Sequence, residues 1–197
     1  MKLITAILFC FFTLAIHAKT IVVLGDSLTE GYQLSKEEAF PHLVETKLKK
    51  MGKDVKVINA GSSGATSASG LKRLDWYLKA KPDILILILG ANDGLRGLEP
   101  VDTEKNLSSV IEKAQGLGIK VILAGMQMPT NYGTEYRKEF AEIYPKLSKK
   151  YKIKLIPFIL EGVGGIPEMN LPDGIHPNAR GHVIMSETVL KSLEGLL

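Results

Sequence analysis

The sequence is almost free of cysteine, because its one thiol, Cys10, lies inside an apolar N-terminal stretch. Removal of that stretch on export would leave no cysteine, and therefore no disulfide, no thiolate metal site and no cysteine nucleophile. Such a chain is held together by its hydrophobic core alone. Any nucleophilic chemistry must then come from serine, threonine, lysine or a carboxylate.

A strong charge of one sign is also lacking, since 25 Lys and Arg residues against 21 Asp and Glu residues give a net charge of +4. The nearest approaches to basic runs, at residues 47–53 and 149–152, have the spacing of solvated helix ends, so we expect no nucleic-acid partner. The composition, 45% hydrophobic and 23% charged, excludes a disordered or collagen-like chain. No repeat, linker or low-complexity segment divides the 197 residues, which therefore predict one domain.

The longest hydrophobic run at the N-terminus is too short for an ordinary membrane span. Residues 3–16 are apolar except for two threonines, and they precede Ala18, a small residue suited to a cleavage site. A membrane-spanning helix needs about 20 apolar residues. Residues 1–18 are therefore predicted to be a secretory signal peptide, with an uncleaved anchor as the alternative. The domain over residues 19–197 is then expected in the periplasm or outside the cell, as a monomer without a stable membrane span.

Five apolar, strand-like runs alternate with amphipathic helical patterns along the chain. The runs cover residues 20–24, 55–58, 83–89, 120–124 and 153–156. The third run is apolar on both faces, which is typical of a central strand in a parallel sheet. The last helix is predicted to begin at Pro177, whose fixed φ suits a first helical position.

This alternation predicts a single-domain α/β fold, a three-layer α/β/α sandwich around a five-stranded parallel sheet. We expect the flavodoxin-like strand order 2-1-3-4-5, because right-handed crossovers restrict the alternatives. That order opens a crevice at the carboxyl ends of strands 1 and 3, where ligands usually bind.

Polar segments collect at the carboxyl ends of the predicted strands. Strand 1 runs into Gly-Asp-Ser-Leu at residues 25–28, and strand 3 runs into Gly-Ala-Asn-Asp-Gly at residues 90–94. Strand 2 ends in a glycine- and serine-rich turn at residues 59–64, and Asp-Gly-Ile-His at residues 173–176 precedes the last helix. Because parallel strands end at the same edge of a sheet, these segments are expected to surround one crevice.

The groups in this crevice are the ones that nucleophilic acyl transfer needs. A serine hydroxyl requires a base, an imidazole serves as that base, a carboxylate holds the imidazole, and amide N–H groups receive the oxyanion. Each segment taken alone has an ordinary explanation as a helix cap or a tight turn. One shared site explains all four segments more simply than four unrelated turns.

These four segments resemble the sequence blocks of the SGNH, or GDSL, hydrolases, in order and along the whole predicted domain. The stretches at residues 90–97, 129–133 and 143–147 resemble a branch of secreted bacterial thioesterase, lysophospholipase and arylesterase enzymes. The resemblance implies that Ser27 is the nucleophile, His176 the base and Asp173 the residue that orients it. It implies an oxyanion hole of the Ser27 and Gly64 amides and the Asn92 side chain, with no metal or organic cofactor.

The sequence is therefore interpreted as a secreted serine hydrolase of acyl esters, such as arylesters, lysophospholipids and acyl thioesters. Six apolar residues near the predicted site would favour an acyl chain if they face the groove: Leu95, Leu98, Met126, Met128, Ile166 and Met169. The alternatives are a carbohydrate O-acetyl esterase of the same family, a receiver-type signalling domain and a non-catalytic binding protein. The receiver is disfavoured because such domains cluster acidic residues after strand 1, where this chain has one aspartate followed by a serine.

Three conspicuous side chains are not assigned to the site. His42 follows a proline in a predicted first helical turn and is expected at the surface. His182 lies within the last predicted helix and is expected to flank the core. Trp76, close to Leu74 in another predicted helix, is expected to pack against the core.

Overall fold

A computed structural model describes residues 18–197. Residues 1–17, which hold Cys10 and nearly all of the predicted signal peptide, lie outside the described residues. The strands are β1 (Lys19–Gly25), β2 (Val55–Ala60), β3 (Ile84–Ile88), β4 (Lys120–Ala124) and β5 (Lys154–Ile156). The α-helices are α1 (Ser27–Glu30), α2 (Phe40–Lys50), α3 (Gly70–Tyr77), α4 (Ala91–Leu95), α5 (Pro100–Gly116), α6 (Thr134–Tyr151) and α7 (Ala179–Leu193). Short 3-10 segments occur at Ser67–Ser69, Leu78–Ala80, Thr130–Tyr132 and Pro167–Met169.

The five strands form one parallel sheet in the order β2-β1-β3-β4-β5, which confirms the predicted fold and strand order. Every residue of β3 is buried, as expected for a central strand that is covered on both faces. The register pairs Leu24 with Ala60 and Gly25 with Ile88, so β1, β2 and β3 end at nearly the same level. The turns that follow these strands therefore meet at one edge of the sheet.

The helices cover the two faces of the sheet in separate groups. Helix α2 packs against α7, whereas α5 packs against both α3 and α6. In the α2–α7 layer the buried His182 accepts a hydrogen bond from the Phe40 backbone N–H at 3.1 Å and stacks on the Phe40 ring. Burial lowers the pKa of His182 to about 4. The expectation that His182 flanks the core is confirmed.

Two local predictions are wrong. Helix α7 begins at Ala179, two residues later than predicted, because the Asn178 side chain accepts hydrogen bonds from the N–H groups of Arg180 and Gly181 and caps the helix there. Pro177 instead forms an antiparallel bridge with Asn170. Trp76 does not pack against the core, since 67% of its surface is exposed.

Candidate active site

A short turn joins β1 directly to α1 and presents Ser27 as the first residue of that helix. The Asp26 side chain caps the helix by accepting a hydrogen bond from the Leu28 N–H at 3.0 Å. Asp26 is fully buried, and desolvation raises its pKa to about 6 although the hydrogen bond and the nearby Arg73 oppose that shift. The serine is therefore held by a short, capped helix at the carboxyl end of the inner strand β1.

The structure brings Ser27, His176 and Asp173 into one hydrogen-bonded line. His176 Nε2 lies 2.9 Å from Ser27 Oγ, and His176 Nδ1 lies 2.7 Å from Asp173 Oδ2. A carboxylate accepts only, so Nδ1 carries the proton and Nε2 is free to accept from the serine hydroxyl. His176 is thus within hydrogen-bonding distance of both Ser27 and Asp173, the residues to which the resemblance assigned the nucleophile and the orienting carboxylate.

The loop before α7 fixes the carboxylate of this line. Asp173 Oδ1 accepts the backbone N–H groups of Ile175 and His176, each at 3.0 Å. Desolvation raises the pKa of the Asp173 carboxyl, but the hydrogen bonds from His176 and Ile175 outweigh it and hold that pKa below its usual range. The Tyr32 ring lies 4.4 Å from the His176 ring, centroid to centroid, and covers one side of the imidazole. Asp173 is therefore ionised at neutral pH, beside a histidine that is held in place.

The glycine-rich segment after β2 forms a tight turn over residues 62–65, which we call the Gly64 turn. The Ala65 N–H donates to the Ser62 carbonyl at 3.0 Å, and Gly64 takes the third position with φ +75°. Such a φ favours glycine, because a side chain there is strained. Arg96 donates to the Gly64 carbonyl at 3.0 Å, and the Asn92 side-chain amide donates to the Ala65 carbonyl at 3.1 Å.

A cleft of about 900 Å³ contains Ser27 and His176 in its lining, together with Gly64 and Asn92. Of the predicted apolar residues, Leu95, Met126 and Met128 line this cleft. The condition that they face the groove is not met by Leu98, Ile166 and Met169, which do not line the cleft. The cleft is also lined by large apolar and aromatic residues that were not predicted to border it, namely Leu28, Tyr32, Phe158, Leu160 and Ile175. Phe158 and Leu160 follow β5, so their position after a strand end is a signal in the sequence that could have identified them.

A ladder of aromatic rings on one side of the cleft holds the segment that carries Asn92. The rings of Tyr132, Tyr136, Phe140 and Tyr144 follow one another at centroid distances of 6.5, 6.1 and 5.9 Å. The three tyrosine hydroxyls donate to backbone carbonyls between residues 89 and 98. At Gly90, with φ +120°, an added Cβ would overlap the Tyr144 hydroxyl, so only glycine allows this approach. The wall of the cleft is therefore fixed from behind by its own hydrogen bonds.

Within residues 18–197, no three histidine, cysteine, aspartate or glutamate side chains cluster closely enough to hold a metal ion. The site is built from a serine, an imidazole, carboxylates and amide donors. These groups suit acyl transfer to an oxygen nucleophile.

Comparison with known proteins agrees with this chemistry. Residues 23–184 match the GDSL-like lipase/acylhydrolase family. The chain is 39% identical over 194 residues to an arylesterase of Vibrio mimicus, with 98% of this chain and 97% of that protein covered. It is 38% identical over 184 residues to thioesterase 1/protease 1/lysophospholipase L1 of Escherichia coli strain K12, with 93% and 87% covered.

Solved structures give the same result. The crystal structure of TesA superposes with a TM-score of 0.88 at 40% identity, and the match covers 91% of this chain and all of that chain. The chain therefore belongs to the GDSL-like lipase/acylhydrolase family, as its sequence blocks indicated. More particularly, it is a carboxylic ester hydrolase that acts on acyl esters, similar to the esterase, arylesterase and thioesterase members of that family.

Proposed function

We propose that Ser27, His176 and Asp173 are the catalytic triad of this esterase. The observation that carries the proposal is the continuous line of 2.9 Å and 2.7 Å contacts from the serine hydroxyl through the imidazole to an ionised carboxylate. Among the residues from 18 onward that line the cleft, no other nucleophile has a base at this distance and a third group to orient that base.

Acylation begins when Ser27 Oγ attacks the acyl carbon and its proton passes to His176 Nε2. Asp173 stabilises the resulting imidazolium through the Nδ1–H bond. The tetrahedral intermediate collapses when the bond to the leaving oxygen or sulfur breaks, and that atom takes the proton from Nε2. The product is an ester of Ser27 with the acyl group, and the free alcohol or thiol departs.

Deacylation repeats these steps with water as the nucleophile. His176 Nε2 takes a proton from water, whose oxygen attacks the acyl carbon. When the second intermediate collapses, the bond to Ser27 Oγ breaks and the proton returns to that oxygen. The carboxylic acid leaves, and the line of hydrogen bonds is restored.

Three donors stabilise the negative charge of both intermediates, namely the N–H groups of Ser27 and Gly64 and the side-chain amide of Asn92. One N–H of the Asn92 amide is used by the Ala65 carbonyl, and the same nitrogen carries a second N–H. Donors that are fixed before the reaction need no reorganisation as charge develops, and one such donor is typically worth about 10²–10³ in kcat.

The substrate is proposed to be a small-molecule ester with an aliphatic or aromatic acyl group, including lysophospholipids, arylesters and acyl thioesters. The apolar residues of the cleft favour an acyl chain over an acetylated sugar, because burial of methylene groups is favourable. Esters with chains from acetyl to palmitoyl, tested beside acetylated sugars, distinguish these substrates through kcat/KM. A preference for acetylated sugars would contradict the proposal.

We also propose that residues 1–18 direct export and are removed, so that the domain over residues 19–197 acts in the periplasm or outside the cell. In the described part of the chain, from residue 18 onward, no helix combines the length and apolarity needed to cross a bilayer. N-terminal sequencing of the exported protein tests this proposal. A chain that keeps Met1 and stays with the membrane would be anchored instead.

The triad is tested by the variant Ser27→Ala with a fluorophosphonate probe. We expect the purified variant to lose nearly all esterase activity and all labelling, while circular dichroism shows a native fold. The matched control is Ser109→Ala, because the Ser109 hydroxyl lies on α5 and donates only to the Lys105 carbonyl of its own helix. Wild-type turnover by Ser27→Ala, free of host esterases, would contradict the assignment of the nucleophile.

A further inference from the structure

The four-residue helix α1 connects the nucleophile to the Gly64 turn. Ser27 is its first residue, and Glu30 is its last. Glu30 Oε2 accepts a hydrogen bond from the Ser63 N–H at 2.6 Å and a second one from the Ser63 hydroxyl. Both bonds have an ionised acceptor, which makes them stronger than neutral ones. We call this pair of bonds the Glu30–Ser63 clamp.

The clamp lies next to the most adjustable peptide of the turn. Turns of types I and II differ mainly in the orientation of the central peptide, which in the Gly64 turn joins Ser63 to Gly64. The N–H of that peptide is the proposed oxyanion donor. Glycine at the third position permits either orientation, so it allows the observed geometry without enforcing it. The contacts on each side of the peptide must therefore hold the donor in place.

On the downstream side, Arg96 holds the Gly64 carbonyl, as described above. On the upstream side, the Ser62 N–H donates to the Gly25 carbonyl at 3.2 Å. Gly61, directly before the turn, packs closely on α1, since an added Cβ there would overlap the backbone nitrogen of Glu30. Residue 63 itself is held only by Glu30 among the hydrogen bonds of the described residues.

We propose that Glu30 is a positioning residue for ester hydrolysis. It holds Ser63 against the helix that carries Ser27, and thereby keeps the Gly64 N–H where the oxyanion forms. The inference rests on the proposed roles of Ser27 and Gly64. Glu30 does not line the cleft, whereas Ser63 does, so Glu30 acts through Ser63 rather than on substrate.

The test compares Glu30→Ala and Glu30→Gln with the wild-type enzyme on a p-nitrophenyl ester. Loss of the clamp misplaces one donor without deleting it, so we expect Glu30→Ala to lower kcat by roughly 3- to 30-fold, less than the loss of a whole donor. KM and Tm should stay near the wild-type values, and fluorophosphonate labelling of Ser27 should slow by the same factor. Glu30→Gln keeps an acceptor oxygen without its charge and should recover part of the loss.

The matched control is Glu38→Ala. The Glu38 carboxylate is exposed and accepts one backbone N–H, from Ser35 at 3.0 Å, in a nearby loop outside the site. We expect this variant to keep the wild-type kcat. A double variant, Glu30→Ala with Ser63→Ala, should be little worse than Glu30→Ala alone, because residues that act through one contact do not have additive effects.

Three outcomes would overturn the proposal: an unchanged kcat in Glu30→Ala, a rise in KM with kcat retained, or a loss of kcat that simply follows a loss of Tm in both variants. The activity of Ser27→Ala distinguishes these outcomes from a failure of the proposed function. If Ser27→Ala is inactive while the Glu30 variants resemble wild type, the clamp alone is refuted. If Ser27→Ala is active, the catalytic assignment fails as well.

Discussion

Two buried groups should make the stability of this enzyme depend on pH in opposite directions. Desolvation raises the pKa of Asp26 to about 6 from its ordinary 3.8, and desolvation lowers the pKa of His182 to about 4 from its ordinary 6.5. Unfolding returns both groups to water and to their ordinary values. Each difference corresponds to about 3 kcal/mol in the free energy of unfolding, at about 1.4 kcal/mol for each pH unit.

The signs follow from which state binds the proton. Between pH 4 and 6 the folded state keeps the proton on Asp26 while the unfolded state loses it, so this group makes stability fall as pH rises. Between pH 6.5 and 4 the unfolded state gains a proton on His182 while the folded state does not, so this group makes stability fall as pH falls. Over the shared window the two effects nearly cancel.

The variants Asp26→Asn and His182→Asn should each remove one of the two opposing pH dependences, so that the other can be measured. Urea unfolding across pH 4–6.5 should show a gain of about 3 kcal/mol with rising pH for Asp26→Asn and a loss of about the same size for His182→Asn. Far-UV circular dichroism is the appropriate signal, because the single tryptophan, Trp76, is largely exposed and reports poorly on the core. Asp173 and Glu45, whose pKa values are lowered by hydrogen bonds, contribute alike to all three proteins. Parallel curves for the three proteins would refute the reasoning.

Three further predictions concern the rate of the reaction. Asn92→Ala should lower kcat by about 10²–10³ with KM within a few-fold in steady-state kinetics, because it removes one proposed oxyanion donor; a lower Tm in thermal unfolding with normal turnover would show that Asn92 only stabilises its turn. Gly64→Ala should also lower kcat, by at least tenfold, because alanine disfavours φ +75°. Steric overlap is not the cause, since the added Cβ would lie 3.5 Å from Arg96. An unchanged kcat would show that the Gly64 N–H is not a donor. Asp173→Asn keeps the shape of the side chain but removes the charge that is proposed to stabilise the imidazolium, so kcat should fall by roughly 10³–10⁴ with a native circular dichroism spectrum; a loss below tenfold would contradict the proposed role of Asp173.

The sheet and the principal site residues were accessible from the sequence because both follow from short-range patterns. Apolar strands alternate with amphipathic helices, and the handedness of crossovers then restricts the strand order. Ser27, Asn92 and His176 each stand beside a strand end or a helix start, and the topology brings such positions together. That these residues lie close together could therefore be predicted without knowledge of individual side-chain contacts.

Other features depend on directions and contacts that sequence spacing does not contain. Trp76 lies two residues after the buried Leu74, and side chains at that spacing point to different sides of a helix. Leu98 is close to Asn92 in the chain, but it lies outside the cleft. The bond between Glu30 and Ser63 joins residues 33 positions apart that share no periodic pattern. Such contacts arise only after the backbone has folded.

The order of the site along the chain has a consequence for biosynthesis. His176 follows Ser27 by 149 residues, and the last strand of the sheet, β5, ends before the loop that carries the imidazole. A ribosome thus makes every strand, the proposed nucleophile and all three proposed oxyanion donors before it makes the base. With the proposed roles, an unfinished chain holds Ser27 without its base, so we expect it to hydrolyse no ester until synthesis is nearly complete. The appearance of esterase activity during translation would accordingly report the docking of the final loop and α7.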